Sequence, residues 1–252
     1  MELIRLENVK KIYKTGEVIT KAVDGIDFTV NKGEFALIIG ASGAGKTTVF
    51  NLLTGVYKPT EGIIRLDGED ITLKTGKSLR MIYRKMQMVF QTPTDSFDPR
   101  RTLGDGIGES LRNCGMTRHD ADAQAERLLE RCGLPASFAG RYPHEVSGGQ
   151  CQRAAIARAI AQNPRFLICD EATSALDVSV QAQIMELLIR IRKEKNLSIL
   201  FIPHDLALVS SFCDRIYVLN HGKVVESGET AQIIHAPQQP YTKKLIASLL
   251  TV

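Results

Sequence analysis

Polar and apolar residues alternate over LIRLENV at 3–9, the period of a half-buried strand, and a Lys-Thr-Gly turn follows Tyr13. GIDFTV at 25–30 repeats the pattern and ends in the turn Asn31-Lys32-Gly33-Glu34. Phe35 to Ile39 is instead a continuous apolar run of strand length that stops at Gly40. Such a run suits a central strand covered on both faces, and a helix is expected directly after it. Gly62 to Leu66 and Gln87 to Phe90 read as further strands, the first leaving through Asp67-Gly68. From Thr92 to about Asn163 the β-branched runs thin out and helical patterns take over. Ala121, Ala125, Leu128, Leu129 and Cys132 share one helical face, which Gly133 and Pro135 close. Strands return at Phe166 to Cys169 and Ser198 to Ile202, separated by a helix whose apolar face is Val180, Ile184, Leu187, Leu188 and Ile191. Strand, helix, strand requires a parallel sheet with crossovers, so the fold class is α/β. A hairpin around Asn220-His221-Gly222 and a helical tail from Tyr241 finish the chain.

Composition narrows the function classes. The chain has 252 residues, 44% hydrophobic, enough to bury a core in one large or two small domains. Lys plus Arg number 32 against 28 for Asp plus Glu, and the resulting +4 is spread along the sequence, so nucleic acid is not an expected partner. The longest apolar runs, FALII at 35–39 and ILFI at 199–202, fall far short of the roughly 18 residues that span a bilayer. The N-terminus lacks an apolar signal core, which places the chain in the cytosol. Cys114, Cys132, Cys151, Cys169 and Cys213 stand apart with no C-x-x-C pair, as free thiols do.

Gly40 to Thr48, GASGAGKTT, matches G-x-x-x-x-G-K-[ST] between a buried strand and an expected helix. The glycines at 40, 43 and 45 let backbone N–H groups form a nest around phosphate oxygens, with Ser42, Ala44 and Thr48 completing the loop. Lys46 would reach the β- and γ-phosphates and the Thr47 hydroxyl would ligate Mg²⁺. A glycine-rich turn without a ligand is the plainer alternative. Asp170 and Glu171 end an apolar strand, where α/β sheets bind ligands. Asp170 is placed to hold the Mg²⁺ shell through water, and Glu171 to orient and deprotonate an attacking water; without the glycine loop, Glu171 would read instead as an N-cap or first-turn acid of the next helix. Together these motifs indicate nucleoside triphosphate chemistry, which a small-molecule kinase would also carry out. Ser147, followed by Gly148 and Gly149, opens an alanine-rich helix and so creates a second anion-binding helix N-terminus.

VSGGQ, with the glycine loop upstream and ICDEATSALD downstream, resembles the ATPase subunit of ABC transporters over nearly the entire chain. The resemblance implies a P-loop NTPase parallel sheet with an N-terminal antiparallel β subdomain. It places a helical subdomain inserted at 92–160, between 1–91 and 161–230, and a C-terminal tail at 231–252. It implies ATP bound between one subunit's glycine loop and the Ser147, Gly148, Gly149 and Gln150 donors of a second subunit, identical or different. Tyr13 takes the place of the adenine-stacking aromatic, and Gln91 that of the glutamine that touches Mg²⁺. Ser174 to Asp177 matches the loop linking the two sites, and His204 the histidine that holds the γ-phosphate and attacking water. Val146 stands where leucine is commoner, and Pro203 where a small hydroxyl residue is typical.

VFQTPTDSFDPRRTLGDGIGESL, SALDVSVQAQIMELL and HAPQQPYTKKLIASLL resemble the branch that imports peptides and nickel, while YKTGEVITKAVDGIDF is closer to lipoprotein and macrolide exporters. The implied partners are integral membrane subunits at the cytoplasmic face, with the alternative of a soluble subunit in a phosphonate-cleaving lyase-like complex. The loop from Gln91 to Leu103 is then the expected docking surface, with Phe97 as an exposed anchor beside Arg100 and Arg101.

Overall fold

The computed structural model describes residues 1–172, 176–203 and 206–250. The chain opens with two long antiparallel strands, β1 (Glu2–Thr15) and β2 (Val18–Asn31). Each is continuous over the stretch where turn residues suggested short pieces, and slips of register along the pair absorb the irregular pattern. β3 (Phe35–Ile39) leads into α1 (Lys46–Leu53), followed by β4 (Glu61–Leu66), β5 (Glu69–Asp70), α2 (Gly76–Lys85) and β6 (Met86–Val89). Phe90 falls just beyond β6 and packs edge-on against Phe50. The chain then leaves the sheet to build α3 (Leu103–Arg112), α4 (Arg118–Arg131) and α5 (Gly148–Ile160). It returns through β7 (Phe166–Asp170), α6 (Val178–Lys195), β8 (Ser198–Ile202) and α7 (Leu206–Ser210). β9 (Arg215–Asn220), β10 (Lys223–Glu229), α8 (Thr230–His235) and α9 (Pro240–Leu250) complete it.

Two sheets result. β2-β1-β4-β5 is four-stranded and antiparallel, and β10-β9-β3-β8-β7-β6 is six-stranded, parallel except for β10 at its edge. Every residue of β3 and β8 is buried, and successive side chains enter different cores. Phe35, Leu37 and Ile39 join Leu167, Ile199, Phe201 and the apolar faces of α3 to α6. Ala36 and Ile38 join Phe166, Ile168, Leu200, α1 and the antiparallel sheet. That is why the central strands read as unbroken apolar runs: the period of two is present, but both faces are inside.

α3 carries glycines at 104, 106 and 108, which lower helix propensity and hid the element in the sequence. Packing explains two of them: a Cβ at Gly104 would lie 2.8 Å from the Ala139 carbonyl oxygen. A Cβ at Gly106 would lie 2.7 Å from the Phe97 ring. The space at Gly106 admits Phe97, which is only 8% exposed and belongs to the first core. The expectation of an exposed aromatic anchor is therefore corrected, because a polar ten-residue context concealed a ring that inserts against a helix nine residues away.

Candidate functional site

The glycine loop begins where β3 ends and closes at Gly45, the N-cap of α1. Gly45 has φ 107°, and a Cβ there would lie 2.5 Å from the Ala22 carbonyl oxygen, so both conformation and space demand glycine. The outer side of the loop is strapped by the β9–β10 turn. Gly222 N–H donates to Ala44 O at 2.9 Å, and Gly222 O accepts from Asp24 N–H at 2.8 Å. The Lys46 ammonium curls back to donate to Gly40 O at 2.7 Å and Ala41 O at 3.1 Å.

These elements enclose a cavity of about 420 Å³. Ser42, Gly43, Gly45, Lys46, Thr47 and Thr48 line one side, Glu171 faces them, and Thr20 to Ala22 with His221 and Gly222 form the remaining wall. The last two groups escaped sequence reading: the only signal was a hairpin turn at 220–222, and nothing in one dimension brings that turn against the loop.

Asp170 ends β7, and Glu171 follows it with φ 46°, a left-handed conformation that is costly for a residue with a Cβ. The Glu171 N–H donates to Ile202 O at the end of β8, at 2.9 Å. The Gln91 carboxamide Nε2 donates to Glu171 Oε2 at 3.0 Å. Burial pushes the Asp170 carboxyl up to about 6, the neighbouring Glu171 adds to the rise, and Lys46 opposes it. Burial pushes the Lys46 ammonium down, against the pull of Glu171 and Asp170. Two carboxylates thus lie in the field of one ammonium, and the Thr47 hydroxyl and the Gln91 carboxamide oxygen are further hard oxygen ligands. Such a set suits a small divalent cation.

Other expected site residues lie apart from this cavity. Tyr13 is on β1, its ring 6.2 Å from Tyr57 in an edge contact and 5.3 Å from the Lys11 ammonium, and it is not part of the cavity wall. Ser147 caps α5: its Oγ accepts from Gln150 N–H at 3.3 Å, while Gln150 Oε1 accepts from Ser147 N–H at 2.9 Å. Ser147 and Gly148 are exposed, Gly149 and Gln150 half-buried, and none of the four lines the cavity around Lys46. Asp177 caps α6, accepting from Val180 N–H at 2.9 Å and from the Ser179 hydroxyl at 2.7 Å, bonds that hold its carboxyl below its ordinary range. Ser174 and His204 lie outside the described residues.

Comparison with known proteins follows the same lines. The family model described as "ABC transporter" matches residues 23–174. Among curated relatives, the oligopeptide transport ATP-binding protein AppF of Bacillus subtilis is 44% identical over 258 residues, covering 98% of this chain and 78% of the relative. The oligopeptide transport ATP-binding protein OppF of Streptococcus mutans is 40% identical, covering 98% and 82%. Among solved structures, the ATP-binding cassette MJ0796 in a dimeric post-hydrolysis state with ADP and Pi superposes with a TM-score of 0.82 at 33% identity, covering 90% of this chain and 99% of that one. cbiO1 from Clostridium perfringens, part of the transporter complex cbiONQ, superposes with a TM-score of 0.83 at 27% identity, covering 93% and 91%. No described helix is long and apolar enough to cross a membrane.

Proposed function

The chain belongs to the ABC transporter family and is an ATPase subunit of a transporter, and from that premise we propose that it energises the import of peptides by closing head to tail on a second ATPase subunit. The observation that carries the two-subunit reading is the separation within one chain of two phosphate-binding helix ends. The loop before α1 surrounds the cavity, whereas the Ser147 end of α5 is exposed and lines no part of it. A second ATPase subunit, identical or different, brings its own Ser147 end over this cavity. Peptide as the solute rests on relatives at 38–44% identity that are named for oligopeptide or peptide transport.

In this reading the loop N–H groups and Lys46 take the triphosphate, Lys46 exchanging the carbonyls of Gly40 and Ala41 for β- and γ-phosphate oxygens. Glu171 accepts the proton of the attacking water, and the Gln91 carboxamide holds that carboxylate in place. Mg²⁺, held by Thr47, Gln91 and Asp170, would neutralise charge on the phosphates. Tyr13 stacks on adenine, while Ser147, Gly148, Gly149 and Gln150 of the opposite subunit close the γ-phosphate side and Asp177 links the two sites. His204 is assigned to the γ-phosphate by its motif. The assembly sits on the cytoplasmic face against integral membrane subunits, which provide the pathway that this chain does not.

Mixing two inactive variants tests the composite site. Lys46→Ala removes the phosphate cation and Ser147→Arg blocks the opposite half, so each alone is inactive. A one-to-one mixture should recover up to about a quarter of the wild-type rate, because half the dimers are mixed and each holds one intact site. No recovery at any ratio overturns head-to-tail closure. With its membrane subunits in vesicles, the ATPase should drive uptake of a labelled tetrapeptide, and transport in the opposite direction overturns import.

A further inference from the structure

The tail beyond β10 reaches back to the glycine loop. The Tyr241 hydroxyl, in the first turn of α9, accepts a hydrogen bond from Ala41 N–H at 3.1 Å, across 200 residues of sequence. The carbonyl of the same Ala41 accepts from the Lys46 ammonium at 3.1 Å and from Ala44 N–H at 3.1 Å. Ala41 is thus held at both of its backbone groups, one by the loop itself and one by the tail.

Tyr241 is itself anchored. The Glu226 carboxylate on β10 accepts from Gln238 N–H at 2.7 Å and from Gln239 N–H at 3.1 Å, which ties the segment entering α9 to the sheet that carries the loop. The Tyr241 ring packs on the first core, and α9 lies against α7. A phenol fixed in this way costs little entropy to keep in place, so its hydroxyl can hold a backbone donor that would otherwise let the start of the loop rotate.

We propose that Tyr241 is a positioning residue of the nucleotide site: by holding the Ala41 N–H it sets the arm of the glycine loop, so that the N–H groups from Gly43 onward converge on phosphate before nucleotide arrives. The proposal rests on phosphate binding at Gly40 to Thr48. Preorganisation of this kind acts on ground-state affinity, because the loop is already ordered when the triphosphate enters. Its removal should therefore raise KM for ATP and leave kcat at saturating ATP nearly unchanged.

The test is Tyr241→Phe, which keeps the ring and its packing and deletes only the hydroxyl. ATP and ADP affinity by calorimetry, KM and kcat of hydrolysis, melting without nucleotide, and hydrogen exchange at the Ala41 amide are measured for both proteins. Expected are a three- to tenfold weaker affinity, of the order of one hydrogen bond, faster Ala41 exchange and an unchanged melting temperature. Glu226→Ala, which frees the entry to α9 with the hydroxyl intact, should move affinity in the same direction by less. Equal affinity and equal Ala41 exchange in wild type and Tyr241→Phe overturn the proposal. A fall in kcat and melting temperature with KM unchanged also overturns it, by making the contact a general stabiliser. Should wild type and Lys46→Ala bind ATP equally, it is the phosphate reading of the loop that fails, a result separate from either.

Discussion

The Gln91 carboxamide donates to the Glu171 carboxylate at 3.0 Å, joining the ends of β6 and β7 across 80 residues of sequence. The contact places a side chain from the entrance to the helical segment on the acid assigned to water activation. Glu171→Gln keeps the shape and leaves a carbonyl for Gln91 to donate to, so the loop and its nucleotide affinity should survive. Hydrolysis should fall by about 10²- to 10⁴-fold, the range for loss of a general base. Single-turnover kinetics and sedimentation with ATP check this, the expected variant being a nucleotide-trapped dimer. Turnover near wild type would remove Glu171 from the role.

Phe97 is part of the fold rather than a surface anchor, and the substitution acts accordingly. Phe97→Ala leaves a cavity against Gly106 and the first core and should destabilise the chain by about 3–5 kcal/mol, read as a lower denaturation midpoint. Arg101→Ala removes exposed pairs with Asp105 at 3.7 Å and Glu109 at 3.8 Å and should change stability by about 1 kcal/mol or less. If a membrane subunit docks on this loop, Arg100 is among the exposed residues that can meet it. A Phe97→Ala protein as stable as wild type would contradict the packing.

Gln152 lies one turn into α5, fully buried, and neither Oε1 nor Nε2 has a hydrogen-bond partner among the described residues. Desolvating an amide without return is costly, so Gln152→Met, similar in length and apolar, should stabilise the isolated chain by about 1–3 kcal/mol. Chemical denaturation with both proteins decides it. A loss of stability would contradict an unsatisfied amide at this position.

The thiols make a separate test. Burial pushes Cys132 up to about 12 and Cys151 and Cys213 up to about 11, and it also raises Cys169, while Cys114 is exposed. Near pH 8 these four, Cys213 being half-buried and the others buried, are neutral thiols, since burial disfavours the thiolate, and moderate alkalinity does not activate them. One of the five should react rapidly with a disulfide reagent in the native protein, and all five after unfolding. Cys114→Ser should abolish the fast phase, and a second fast thiol would show that the packing around Cys213 opens.

Features that repeat locally were legible in the sequence. The apolar run of β3 against Gly40, the helix start at Ser147 and the acids closing β7 each depend on a few adjacent residues. Features that depend on distant neighbours were not. The packing of Phe97 into the space at Gly106 of α3 has no local signature. The cavity wall at Ala22, His221 and Gly222 exists only because a hairpin turn and an edge strand meet the loop in space. Tyr13 shows the opposite limit: it was picked out by resemblance alone, and in the single chain its ring contacts Tyr57 and is not part of the cavity wall.

Consecutive residues of β3 face opposite cores, so the strand is a party wall between two interiors. Void volume created at Leu37 is sealed from void volume created at Ile38, although the two are neighbours along the chain. Repacking experiments on the two sides should accordingly be close to additive, each compartment relaxing by itself. Gly40 continues this wall directly into the nucleotide loop. The loop therefore stands on a strip of backbone that is clamped from both compartments, and softening either interior should be felt there as a change in mobility before it is felt as unfolding.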